Sequence, residues 1–131
     1  MVLKAERRLL LLQQQQPVRE FDIGLGFAPD GHKQVSGDGK TPEGRYFVDR
    51  KNPQSAYHLS LGINYPTPED VARAQAMGID PGGDIFIHGE PNTGKRRNGT
   101  DWTAGCIAVR NREIEEIYSR VPLGTPVTIL A

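Results

Sequence analysis

The sequence predicts a mainly β domain with two short helices, and three observations carry that prediction. Fifteen glycines and ten prolines are spread along the 131 residues, so turns recur too often to leave room for long helices. The apolar stretches between those turns are short, Ile85-Phe86-Ile87 among them, which is the length of strands. Only two segments carry helix start and stop signals. A chain of 131 residues fits one domain, residues 1–131, around one modest core, and neither a repeat nor a linker divides it.

Taken in order, residues 6–12 and 18–27 read as strands. The glutamines at 13–16 join them as a hairpin connection, because four are too few for a low-complexity tract. Residues 29–43, rich in Gly, Asp and Lys, read as a loop. Strands follow at 45–49 and 58–63. Thr67 can cap a helix that starts at Pro68, with Glu69 and Asp70 in the first turn, where the exposed N–H groups favour negative charge. Gly78 ends that helix. Residues 85–87 form a short strand that delivers His88 to its end, and residues 106–109 form a core strand. Asn111 can cap a second helix, which places Ile114, Ile117, Tyr118 and Val121 on one face. Pro122 and Gly124 stop it, and residues 126–130 make the last strand. Neither turns nor periodicity determine the order of strands in the sheet.

Composition excludes several classes of function. Sixteen Lys and Arg balance sixteen Asp and Glu, so the chain lacks the basic excess of a nucleic-acid surface and no nucleic-acid partner is expected. No apolar run is long enough to span a bilayer as a helix. The leucines at 9–12 are too few for a signal-peptide core, so no signal peptide is expected within these residues. A mature form, a trimmed chain and a cytosolic protein all agree with that. One cysteine forms no intrachain disulfide, and its chemistry is open in either redox compartment.

That cysteine is the candidate centre. Cys106 follows Thr103, Ala104 and Gly105, whose small side chains let the backbone approach a substrate carbonyl. Amides near Gly105 and Cys106 can then form an oxyanion hole. His88 is the candidate base, since an imidazole beside a thiol favours the nucleophilic thiolate. The competing reading is a buried cysteine at the start of a core strand. His58 reads as a half-buried strand residue or a lining of the pocket, and His32 as a loop residue or a contact at its rim. Cys106, His88, His58 and His32 are acceptable zinc ligands by type, yet no pair has the close spacing of a zinc motif, so neither a metal nor a cofactor is expected. Lys95, Arg96 and Arg97 form a basic run between base and nucleophile, either a solvated loop or a grip for a carboxylate. Trp102, Tyr57 and Tyr65 can line a cleft or fill the core.

These residues resemble a family. His88-Gly89, a variable loop and then Thr103-Ala104-Gly105-Cys106-Ile107 is similar to the catalytic motif of the L,D-transpeptidase (YkuD) family. Independently, Gly37-Asp38-Gly39-Lys40-Thr41-Pro42-Glu43-Gly44-Arg45-Tyr46 is similar to that family's Thr-Pro-x-Gly-x-Tyr/Phe segment. The run from Trp102 to Val109 resembles a sub-branch called YafK-like. The resemblance implies a β-sandwich-like catalytic domain of the cell envelope or periplasm that acts on peptidoglycan stem peptides and is sensitive to carbapenem-type inhibitors. It also implies that the backbone carbonyl of Gly89 orients His88. Where many members carry Arg or Asn, this chain has Ala108, so Arg96, Arg97 or Arg110 is left to meet a substrate carboxylate. The expected function is acyl transfer through a Cys106 thioester, which cross-links stems or attaches protein to the wall. The alternatives are an endopeptidase or carboxypeptidase-type hydrolase of the same bonds, and a non-catalytic wall-binding module.

Overall fold

The computed structural model describes residues 1–93 and 101–131. Along the chain these form β1 (Val2–Leu3), β2 (Arg8–Gln13), β3 (Gln16–Asp22), β4 (Gly44–Ser55), β5 (His58–Ile63), α1 (Pro68–Met77), β6 (Phe86–His88), β7 (Ile107–Ala108), α2 (Asn111–Arg120) and β8 (Pro126–Leu130). The fold is mainly β, as expected, with one sheet of order β3-β2-β1-β8-β4-β5-β6-β7.

The sheet curls because β4 belongs to two halves. Its first residues, Gly44 to Phe47, pair with β8, and from Val48 onward it pairs with β5. Two register shifts bend it, and the second spans Pro53, which can donate no ladder hydrogen bond. These bulges let β4 run for 12 residues where the sequence predicts a strand only at 45–49. The two edges then meet. The chain leaves β3 at Asp22, and Gly24 exchanges hydrogen bonds of 2.8 and 2.9 Å with Ala108 of β7. The expected strand over 18–27 is therefore two pieces, one paired with β2 and one sealing the seam.

Other departures from expectation are local. β1 is two residues long, too short to show a pattern. The β2–β3 hairpin turns through Gln14 and Gln15 at φ 52° and 65°, the left-handed pair that a tight hairpin needs and that glutamine seldom supplies. Asn111 is not the cap of α2. Arg110 holds that position, with its N–H donated to the Glu113 carboxylate at 3.0 Å. Thr67 caps α1 as predicted, and Gly78 closes it in the left-handed conformation at φ 67°.

The core lies inside the curl. Phe21, Ile23 and Leu25 from the seam strand, Leu61 and Ile63 from β5, and Ile107 from β7 are all buried there. The helix α2 closes one side through Ile114 and Ile117. Each such side chain contributes about 2 kcal/mol by leaving water. Among the described residues no helix is long and apolar enough to cross a membrane.

Candidate active site

The two short strands β6 and β7 run parallel, with Ile87 opposite Ile107 and His88 opposite Ala108. Cys106 immediately precedes β7 and so falls beside Phe86. Strand alternation puts positions 106 and 108 on one face, and 86 and 88 likewise, so base and nucleophile sit on neighbouring strands two residues apart. The pairing is held by Ile85 and Ile87 on one side and Ile107 and Val109 on the other, all buried in the core.

His88 is 3% exposed, and its Nδ1 donates to the Gly89 carbonyl at 2.7 Å. A carbonyl oxygen can only accept, so the proton sits on Nδ1 and Nε2 is left as an acceptor. Tyr57 stacks on the imidazole with centroids 4.3 Å apart and planes 24° apart. Trp102 tilts over the same ring at 5.7 Å. Gly89 admits no side chain: a Cβ there would stand 2.6 Å from Asn111 Oδ1 and 3.0 Å from the Tyr57 carbonyl oxygen. That is also where Asn111 spends its amide, accepting the Glu90 N–H at 2.8 Å.

The turn before Cys106 is held by Thr103. Its hydroxyl donates to the Cys106 carbonyl at 2.6 Å and accepts the Gly105 N–H at 3.1 Å. Of the two amides expected at the oxyanion position, that of Gly105 is thus engaged, while the Cys106 N–H meets no acceptor among the described residues. Gly105 is in the left-handed half of conformational space at φ 143°, and a Cβ on it would lie 2.8 Å from the Lys40 carbonyl oxygen. The thiol of Cys106 is half-buried. It donates to the Asp84 carbonyl and accepts the Phe86 N–H, each at 3.4 Å.

Burial sets the electrostatics. It pushes the Cys106 thiol up, an effect opposed by the Phe86 N–H and the Lys33 charge and reinforced by Asp84. It also pushes His88 down, against the pull of the Gly89 carbonyl. Both shifts favour a neutral thiol beside a neutral imidazole. Both directions run against the thiolate that the sequence suggests.

The Gly-rich loop at 29–43 packs against this turn. Burial alone would raise the Asp38 carboxyl, but N–H groups of Gln34, Lys40 and Val35 and the Lys33 ammonium outweigh it and hold the group at about 2. The Gly26 N–H donates to Thr41 Oγ1 at 3.1 Å, and a Cβ on Gly26 would collide with the Gly39 carbonyl oxygen. The sequence gives no sign that Lys33 faces Gly105, because the two lie far apart along the chain.

Residues 1–129 match the model of the L,D-transpeptidase catalytic domain, YkuD. The chain belongs to this family. It is 34% identical over 93 residues to YafK of Escherichia coli (strain K12), covering 70% of this chain and 32% of that protein. It is 31% identical over 94 residues to YqjB of Bacillus subtilis (strain 168), covering 70% of this chain and 53% of that protein. Both relatives carry L,D-transpeptidase names. Among solved structures, the helical cell shape determining protein Pgp2 from Campylobacter jejuni superposes with a TM-score of 0.75 at 30% identity, over 98% of this chain and 45% of that one. The chain therefore spans about a third to a half of the length of these relatives.

Within this L,D-transpeptidase domain the remaining candidates separate. Trp102 joins the aromatic group on His88. His58 does not join it: its Nε2 lies 2.8 Å from Glu115 of α2. Arg110 is exposed at the start of α2. Arg96 and Arg97 lie outside the described residues. His32 is held by other partners, with Nδ1 accepting the Glu43 N–H at 2.8 Å and Nε2 donating to Asp70 at 3.0 Å. Tyr65 is in the core. Ala108 is buried in the seam, so no cation occupies that family position. Among the described residues no three His, Cys, Asp or Glu groups gather as a metal site.

Proposed function

We propose that this domain catalyses cysteine-dependent acyl transfer on peptidoglycan stem peptides, in the cell envelope. The observation that carries the reading is the 2.7 Å contact between His88 Nδ1 and the Gly89 carbonyl, which assigns the ring's tautomer. With its Nδ1 proton committed to the Gly89 carbonyl, Nε2 is free to accept the thiol proton of a cysteine on the adjacent strand. In the proposed reaction the thiol turns from the Asp84 carbonyl toward His88. Its proton passes to Nε2 as Sγ bonds to the carbonyl carbon of the third stem residue. The oxyanion meets the Cys106 N–H, the amide donor left open at this turn. As the carbon–nitrogen bond breaks, His88 returns the proton to the amine of the departing D-alanine, and a thioester remains on Cys106. An acceptor amine then attacks and passes its proton to His88, which returns it to Sγ as the thioester bond breaks.

Ala108 favours a second outcome. With no cation at that position, the acceptor has one fewer group to hold it, and water can take its place, which makes the domain a hydrolase of the same bonds. Both outcomes share Cys106 and His88. Mass spectrometry of purified stem tetrapeptides after incubation with the protein separates them. A transferase yields a cross-linked dimer, and a hydrolase yields the tripeptide and free D-alanine. Cys106→Ala should yield neither. Substrate intact after incubation with wild type would overturn the enzymatic reading in favour of a wall-binding module.

A further inference from the structure

The Gly-rich loop contains a lysine in a place where lysines are rarely found. Lys33 is 3% exposed, and its Nζ is 3.0 Å from Asp38 Oδ1. The same Nζ would lie only 3.7 Å from a Cβ at Gly105. The ammonium therefore faces the turn that carries the nucleophile, with only the bare glycine between. Asp38 does not cancel it fully, because that carboxylate also accepts the N–H groups of Gln34, Val35 and Lys40, at 3.0, 3.1 and 3.1 Å. The loop is fixed from both sides. Lys33 Cε packs where Gly82 has no side chain, and the Lys40 carbonyl lies against Gly105.

Among the described residues, few charges face Cys106. Asp84, just before β6, opposes a negative sulfur, and its carboxylate is drawn toward Arg50 at 3.2 Å. His88 on β6 is kept neutral by burial and carries no charge until it takes the proton. Lys40 directs its ammonium away, to the Asp30 carbonyl at 2.6 Å. That leaves Lys33. We propose that Lys33 is a positioning residue for the reaction: its buried ammonium stabilises the negative charge that forms at the Cys106 turn, and the Gly-rich loop plants it there. The proposal rests on the reading of Cys106 as nucleophile.

The test is the pH profile of Cys106 alkylation by iodoacetamide, followed by intact mass on the full chain, with thermal melting of each variant beside it. Lys33→Met should move the midpoint up by about one pH unit, so that labelling below it slows about tenfold. Asp38→Asn removes the counter-charge and should move the midpoint down. A lysine that serves only to hold the loop predicts otherwise, whatever the melting temperatures: unchanged profiles, or shifts of both variants in one direction. Those outcomes overturn the proposal. Should Lys33→Met fail to fold, Asp38→Asn decides alone, since a midpoint that stays or rises contradicts the field. Failure of the underlying reading shows separately, as stem-peptide turnover that survives Cys106→Ala.

Discussion

His88 enters the proposed reaction as a neutral ring, and this has a measurable sign. Burial lowers its affinity for a proton, so the base form persists to a lower pH than an ordinary histidine allows. The acid limb of kcat/KM, where the base is lost by protonation, should therefore fall below the usual histidine range near 6.5. A pH–rate series checks this, and a limb at or above that value contradicts a buried base. Gly89 supports the ring by having no side chain. Gly89→Ala forces a Cβ to within 2.6 Å of Asn111 Oδ1 and 3.0 Å of a main-chain oxygen. Overpacking of this kind costs about 1–3 kcal/mol, so the variant should melt lower and lose turnover together. Cys106 and His88 stand out as candidates in the sequence because they lie within two short motifs, whereas the contact of His88 with the Gly89 carbonyl was implied only by the family resemblance. The engagement of the Gly105 N–H by Thr103 was not, since it depends on a rotamer of a side chain two residues away.

At the scale of the element, the loop at 29–43 is a built support rather than a slack connection. Its anchor is Asp38, whose carboxyl is held at about 2 against an ordinary 3.8. A depressed carboxylate contributes stability above its unfolded value and loses it as pH falls between the two. The contribution is about 2 kcal/mol, present above pH 4 and gone near pH 2. Asp38→Asn should lower the melting temperature at neutral pH by roughly 5 °C and by much less at pH 2. Equal losses at both values would mean that the carboxylate charge is not the anchor. The loop's composition announced a loop and its motif a family, but its target did not show. Lys33 meets Gly105 across more than half the chain, a contact that no local pattern encodes. The same reason hid β1 and the break after Asp22, where pairing partners come from the far end of the sequence. The helix α1 was legible because Thr67, Pro68 and Gly78 act on their own neighbours.

Across the whole molecule, the pairing of β6 with β7 puts the histidine and the cysteine on adjacent strands, and the curl of the sheet closes the far hairpin edge onto them. The seam between Gly24 and Ala108 ties the far edge of the β2–β3 hairpin to the strand that follows the nucleophile. Ala108 is thus a closing residue in this chain, through its main-chain N–H and carbonyl. A carbapenem, a strained amide that imitates the acyl donor, should acylate the protein once and on Cys106. Peptide mapping checks the site, and an adduct elsewhere would count against this pocket. The central claim is the thioester, and its most direct measurement is intact-mass analysis of the protein within the first turnovers of a stem tetrapeptide. The account predicts one adduct with the mass of the stem less D-alanine, placed on Cys106 by mapping and absent in Cys106→Ala. Stem-peptide turnover by Cys106→Ala, or by wild type through an adduct on any other residue, would contradict it.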